Sequence, residues 1–95
     1  MSATDQKTDQ IWLVEVFVSL KPAVNDPQGL AIADGLHMLG YDEVQDVRAG
    51  KYMQLHVAGS DQASVESRVA EMCEKLLANT VIESYRFDVR PAQSE

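Results

Sequence analysis

The segment of residues 11–20 constrains the fold most, because an alternating apolar strand there leads within six residues into a helix start. β-branched and aromatic residues dominate this segment, and such residues favour strands. Asp26 and Pro27 then form a helix-initiation signal. The carboxylate can accept hydrogen bonds from free backbone N–H groups, and proline fits the first helical position. The pattern predicts a strand at 11–20 and a helix at about 27–39.

Apolar periodicity predicts which side of each element faces the core. On the first strand these residues are Trp12, Val14, Val16, Val18 and Leu20. On the first helix they are Gly29, Ile32, Ala33, Leu36 and Leu39, and on a second helix Val65, Val69, Met72, Cys73 and Leu76. A glycine inside a helix costs about 0.5–1 kcal/mol relative to alanine. We therefore expect the sheet or another chain to pack closely against Gly29.

The remaining patterns complete a β-α-β-β-α-β order. Strands are predicted at about 44–49 and 52–58, joined tightly at Gly50-Lys51. A helix capped by Ser60 or Asp61 follows and reaches about residue 78, and the last strand covers about 81–89. This order is typical of the ferredoxin-like α+β fold, a four-stranded antiparallel sheet with two helices on one face. It places the first and third strands centrally. We predict one domain at 11–90, a flexible N-terminal tail at 1–10 and a C-terminal tail at 91–95.

Length and charge restrict the kinds of partner. The 95 residues carry a formal net charge of −7, whereas nucleic acids and anionic membranes are bound through cationic faces. We therefore expect neither as a partner. There is a single cysteine, which suits a reducing compartment. No apolar run approaches the roughly 20 residues needed to cross a bilayer. Because the polar N-terminus does not resemble a secretory signal, we expect a cytoplasmic protein.

The outer face of the predicted sheet carries apolar and aromatic side chains that neither helix would cover. It combines Leu13, Glu15 and Phe17 of the first strand with Tyr52, Gln54 and His56 of the third. A second copy of the chain is the simplest cover, so we predict a dimer face formed by Leu13, Phe17, Tyr52 and His56. A tolerated amphipathic surface is the alternative.

The sequence shows no catalytic, cofactor-binding or metal-binding constellation. A self-capping Asp26 occupies the helix start that might otherwise hold a phosphate. His37 and His56 lack spaced metal-ligand partners, and Cys73 belongs to an apolar stripe, so neither metal binding nor nucleophilic catalysis is predicted. Lys51 with nearby Arg48 could bind an anion or a partner carboxylate, or form a solvated hairpin end; both readings stay open.

Some chains with a ferredoxin-like fold are enzymes that hydrolyse acyl phosphates, and this class of function has to be considered. Such enzymes need an arginine-bearing anion loop after the first strand, and the corresponding loop here offers Lys21 and Asp26. The Asp26 carboxylate would repel an acyl phosphate, and no nucleophile is paired with a base. By itself the chain therefore resembles a small acidic module that is not catalytic alone.

From about residue 14 to residue 89 the chain resembles the PurS family, the small subunit of phosphoribosylformylglycinamidine synthase. The resemblance rests on short motifs in a fixed order. They are Leu20-Lys-Pro, Asp26-Pro-Gln-Gly29, Leu36, Leu39-Gly-Tyr41, Val44, Val47-Arg48, Gly50-Lys-Tyr52, Met72-Cys-Glu-Lys-Leu-Leu-Ala-Asn79 and Val81-Ile-Glu83.

The resemblance implies a non-catalytic subunit without cofactors of its own, which forms a homodimer or homotetramer. Such subunits bridge a glutaminase subunit to an ATP-using synthetase subunit and support ammonia transfer between them. The exposed but well-specified loop and hairpin are the expected contacts with these larger subunits. Their residues are Lys21, Asp26, Gln28, Gly29, Arg48, Lys51 and Tyr52. A ferredoxin-like regulatory module that binds a small molecule is the alternative function.

Overall fold

The structure is a computed structural model that describes residues 9–92. Its elements are β1 (Gln10–Leu20), α1 (Pro27–Met38), β2 (Gly50–Gly59), α2 (Gln62–Met72) and β3 (Glu83–Pro91). A π-helical turn, Cys73–Leu77, extends α2. The predicted tails at 1–10 and 91–95 lie largely outside the described residues, although Gln10 and Pro91 belong to strands.

Within residues 9–92 the sheet has three antiparallel strands in the order β2-β1-β3. The α+β class and the central place of the first strand are confirmed. The prediction of four strands is wrong, because residues 44–49 form no strand. As a result β2, which was predicted to be central, is an edge strand. Gly50 and Lys51 do not form a tight hairpin turn but begin β2, opposite Ser19 and Val18.

The two ends of residues 44–49 are held by side chains of the preceding segment and not by a neighbouring strand. The Ala49 N–H donates to the Asp26 carboxylate at 2.8 Å. At the other end, His37 Nε2 donates to the Val44 carbonyl oxygen at 2.6 Å. The chain between β1 and β2, residues 21–49, thereby forms a unit that we call the arm. Local β-propensity is overridden here by tertiary contacts.

The core lies between one face of the sheet and α2. Trp12, Val14, Val16 and Val18 of β1 are buried, as the alternation predicts. From α2 and its π-helical turn, Val65, Val69 and Cys73 are buried against them. Half-buried side chains from both edge strands complete the cluster. They are Met53, Leu55, Val57, Tyr85, Phe87 and Val89.

The prediction that both helices cover one sheet face is wrong for α1. Among the described residues α2 packs against β2 and β3, whereas α1 has no comparable contact with any strand. Gly29 and Ala33 of α1 are buried, but they pack within the arm. Ile32 and Leu39, predicted as core, are exposed, with 74% of Leu39 accessible. The predicted apolar residues do lie along one side of α1, but the sheet of the same chain does not cover them.

The π-helical turn changes which side chain continues the apolar stripe of α2. Leu76, predicted as core, is 82% exposed, whereas Leu77 packs against the core. A π turn accommodates more residues than an α turn, so the inward direction moves one position along the chain. Ala78, the next residue, is buried.

Candidate functional site

Asp26 makes the main hydrogen bonds that hold the loop predicted to contact partners. Its side chain accepts a hydrogen bond from the Gly29 N–H at 2.9 Å through Oδ1 and from the Ala49 N–H at 2.8 Å through Oδ2. The residue is 5% exposed. These bonds, the Gly29 bond foremost, hold the pKa of the carboxyl below its ordinary value. Asp26 therefore joins the start of α1 to the start of β2.

Arg48 and Gly29 close the same junction. Arg48 Nη2 donates to the carbonyl oxygens of Lys21 at 2.9 Å and Val24 at 3.1 Å. The backbone of Gly29 lies so close to the Val47 carbonyl that any Cβ would overlap the oxygen. Close packing at Gly29 is thus confirmed, but the predicted partner is wrong, because Val47 of the arm fills this place and not the sheet or another chain. We refer to Asp26, Gly29 and Arg48 as the clamp.

A polar cavity of about 310 Å³ opens beside the clamp, where β1 ends and β2 begins. Asp26, Gln28 and Lys51 line it together with Glu83 of β3. Lys51 Nζ lies 3.7 Å from Glu83 Oε2, and the lysine side chain is 57% exposed. The structure therefore brings most of the predicted partner-contact residues to one end of the sheet. Buried Asp26 and Gly29 shape this end, while Gln28, Arg48 and Lys51 are exposed on it.

Tyr52, also predicted as a partner contact, belongs to a different surface, the outer face of the sheet. There it lies opposite Phe17, and Leu13 lies opposite His56. The Phe17 and Tyr52 rings are 5.2 Å apart between centroids. All four residues of the predicted dimer face thus share one surface.

Two arginines of β3 complete this outer face, and the sequence reasoning did not include them. The Arg86 guanidinium lies 4.0 Å above the Phe17 ring centroid, a cation–π geometry. Arg90 Nη1 lies 2.6 Å from Glu15 Oε1, and the Tyr52 hydroxyl donates to Glu15 Oε2 at 2.6 Å. These bonds lower the pKa of Glu15, with the Tyr52 bond first among the causes. The alternation of charged residues along β3 was the signal that could have located both arginines.

Metal ligation, the single cysteine and membrane-spanning helices are the remaining features of residues 9–92. Between residues 9 and 92 no group of three or more His, Cys, Asp or Glu side chains is placed to hold a metal ion. Cys73 is buried, and burial raises the pKa of its thiol. No helix in the same range has the length and apolar character needed to span a bilayer.

Comparison with known proteins assigns the chain to a family. The family model described as "PurS: Phosphoribosylformylglycinamidine (FGAM) synthase" matches residues 13–91. The chain belongs to the PurS family. The family match includes the clamp, the polar cavity and the outer face. It also starts at Leu13 within β1 and ends at Pro91, the last residue of β3.

PurS relatives agree with this assignment in sequence and in structure. The PurS subunit of Bacillus subtilis is 57% identical over 79 residues, which cover 83% of this chain and 93% of the relative. A Thermotoga maritima PurS structure superposes with a TM-score of 0.80 at 27% identity, covering 86% of this chain and 94% of the other. A chain from a structure described as PurLQS, also from T. maritima, has a TM-score of 0.78 at 28% identity. It covers 84% of this chain and 98% of its own length.

Proposed function

We propose that this chain is the small, non-catalytic subunit of phosphoribosylformylglycinamidine synthase, in the cytoplasmic de novo synthesis of purines. In this role it bridges the glutaminase and the ATP-using synthetase subunits. The observation that carries the proposal is the family match across residues 13–91. The structural likeness to a chain of PurLQS supports a place in a larger assembly.

The bridging role accounts for a small domain with exposed, well-specified surfaces at one end of its sheet. Ammonia released by a glutaminase must reach the synthetase before it is protonated in bulk water. A subunit that holds the two active sites in register and excludes water between them meets this need without a nucleophile of its own. The exposed end of the sheet beside the clamp and the projecting arm provide surfaces for the two larger partners.

Reconstitution tests this function directly. The chain is mixed with the cognate glutaminase and synthetase subunits, and formation of the amidine product is followed with glutamine as nitrogen donor and, separately, with ammonium chloride. We expect glutamine-dependent turnover to require the chain, and ammonium-dependent turnover to require it far less. Equal glutamine-dependent turnover without the chain would overturn the proposal. Saturable stabilisation of the isolated chain by a small molecule, with the polar cavity as the place to look, would then favour the regulatory module.

Charge at the exposed end of the sheet provides a prediction about partner contact. Lys51→Glu places a carboxylate beside Glu83, so we expect both a modest loss of stability and weaker assembly with the large subunits. The double variant Lys51→Glu/Glu83→Lys restores the ion pair with its charges exchanged. It should recover thermal stability while its affinity for the large subunits stays roughly tenfold lower. Affinity is measured by surface plasmon resonance. Full recovery of affinity in the double variant would exclude Lys51 as a contact.

We further propose that the outer face takes part in self-association, as a homodimer or homotetramer. Phe17→Lys places a second cation beside Arg86 and removes the aromatic pair with Tyr52, so association through this face should weaken. Ser67→Lys adds the same charge on the exposed side of α2 and serves as the control. Sedimentation velocity should show a smaller assembly for Phe17→Lys alone. An unchanged sedimentation coefficient would show that the outer face is solvated in the free protein.

A further inference from the structure

The polar cavity beside the clamp is lined by segments that lie far apart in the sequence. Asp26 and Gln28 from the start of α1, Lys51 from β2 and Glu83 from β3 line it together with the end of β1. Its volume of about 310 Å³ lies at the lower end of the range of about 300–1,000 Å³ that is usual for small-molecule sites. The cavity therefore has room for a small ligand, which would contact the starts of three elements at once.

Glu83 is held in place through only one of its two oxygens. Its Oε1 accepts a hydrogen bond from the Asn79 N–H at 2.7 Å, and its side chain is 15% exposed. The second oxygen, Oε2, lies 3.7 Å from Lys51 Nζ, which is too long for a hydrogen bond. The two charges attract each other, yet neither group uses its hydrogen-bonding capacity on the other.

Asp26 contributes a second carboxylate to the lining of the cavity. Each of its oxygens accepts one backbone N–H, from Gly29 and from Ala49, and a carboxylate oxygen has two acceptor positions. The same bonds lower the pKa of this carboxyl, so it stays ionised at neutral pH. The lining thus combines one ammonium group with two carboxylates.

This set of charges selects against ligands that carry a single kind of charge. A phosphate or another simple anion would be repelled by Asp26 and Glu83, and a simple cation would be repelled by Lys51. A ligand with a carboxylate next to an ammonium group avoids both conflicts. In an α-amino acid the two groups are attached to the same carbon atom, which suits the short distance between Lys51 Nζ and Glu83 Oε2.

Replacing the existing ion pair by such a ligand costs little. The Lys51 side chain is 57% exposed, and exposed ion pairs contribute little stability because water screens them. A bound amino acid would replace one long contact by charge-assisted hydrogen bonds to both groups, and such bonds are short and strong. Gln28 adds to the same lining an amide, which can both donate to and accept from a polar side chain of the ligand.

From this geometry we infer that the polar cavity binds a free α-amino acid with a small polar side chain. Lys51 donates to the carboxylate of the ligand, Glu83 and Asp26 accept from its ammonium group, and Gln28 contacts its side chain. The site belongs to the single chain, so the inference goes beyond the proposed function and does not depend on the larger subunits.

Nuclear magnetic resonance titration of the full, isotope-labelled chain tests this site. The probes are L-serine and L-asparagine, with succinamate and β-alaninamide as the analogues of asparagine that lack the ammonium group and the carboxylate, respectively. We expect saturable shifts at the amides of Gln28, Lys51 and Glu83 at roughly millimolar concentrations of one or both amino acids. Each analogue should bind roughly tenfold more weakly than asparagine, or weaker still. No saturable shift with either amino acid, or an analogue that binds as tightly as asparagine, would overturn the inference.

Removal of charge at the cavity identifies the groups that bind. Lys51→Gln removes the ammonium group at an exposed position, and Glu83→Gln removes the charge while its amide oxygen can still accept from Asn79. Each variant should keep its circular dichroism spectrum and bind the amino acids roughly tenfold more weakly. Lys75→Gln removes the same charge from the π-helical turn, outside the cavity, and should bind as the native chain does. Native affinity in either cavity variant would overturn the site. Because no large subunit is present, this result is separate from that of the reconstitution.

Discussion

Replacing Gly29 with alanine is expected to disrupt the arm, although alanine is the better helix former. The new Cβ would overlap the Val47 carbonyl oxygen, which is backbone and cannot rotate away. Overpacking of this kind costs about 1–3 kcal/mol, which exceeds the 0.5–1 kcal/mol or so that alanine gains in a helix. Hydrogen exchange should therefore show loss of protection at the amides of α1, while the amides of β1 keep theirs.

Gly35→Ala is the matched control on the same helix. No atom lies within 4 Å of the position that its Cβ would occupy. This substitution should stabilise α1 by about 0.5–1 kcal/mol, because the helix gains propensity without a clash. Opposite signs for the two alanine variants would identify the contact with Val47 as the cause. If both variants protect α1 equally, the arm does not hold residues 44–49 against the helix.

The second large effect is expected for Asp26→Asn, because a single side chain holds both ends of the arm. An amide has one acceptor oxygen where the carboxylate has two, so one of the bonds to Gly29 and Ala49 is lost. Loss of an N-cap acceptor alone corresponds to about a twofold to thirtyfold change in a local opening equilibrium. We expect an effect on α1 amide exchange at the upper end of that range, since the second bond closes a junction 23 residues away.

The effect of Asp26 should depend on pH in a definite direction. The folded arm lowers the pKa of this carboxyl below its ordinary 3.8. A lowered folded pKa contributes stability that is present above the unfolded pKa and is lost as pH falls through the folded value. Protection of α1 should therefore fall below about pH 4 in the native chain and fall less in Asp26→Asn.

Asp61→Asn provides the comparison for this pH experiment. Asp61 caps α2 by accepting from the Ser64 N–H at 2.8 Å, and its pKa is lowered chiefly by that bond. Its carboxylate makes no contact comparable to the Ala49 bond, so its replacement should affect the first turn of α2 alone. Equal effects of the two asparagine variants would show that Asp26 is an ordinary helix cap and not part of a clamp.

The sequence alone predicted the elements that depend on contacts between residues close along the chain or on a strong repeating pattern of apolar residues. The alternation in β1, the cap at Asp26 and the buried face of α2 up to Cys73 were predicted correctly, and Asp61 was one of the two residues predicted as the cap of α2. Such features depend on local hydrogen bonds and on one repeating pattern, both of which a single sequence contains.

The errors arose where a distant side chain decides the conformation. Residues 44–49 have strand-like composition, but Ala49 bonds to Asp26, 23 residues earlier, and no local pattern reports this. The stripe on α1 shows that a face is apolar without showing which surface covers it. Leu76 was misplaced because the π-helical turn shifts the inward direction by one residue. Tyr52 was predicted both as a partner contact of the hairpin and as part of the dimer face, and it lies on the outer face beside Phe17.

The clamp holds the first turn of α1 at the end of the sheet. A small rotation at the clamp therefore moves the far end of the helix. Its 12 residues extend for about 18 Å at the usual rise of an α-helix. Over that length, a rotation of about 10° at the clamp displaces the far end of α1 by about 3 Å. Any protein bound at the far end is moved by the same amount relative to one bound at the sheet. In the proposed assembly, the distance between partners bound at these two places would therefore depend on the few hydrogen bonds of the clamp.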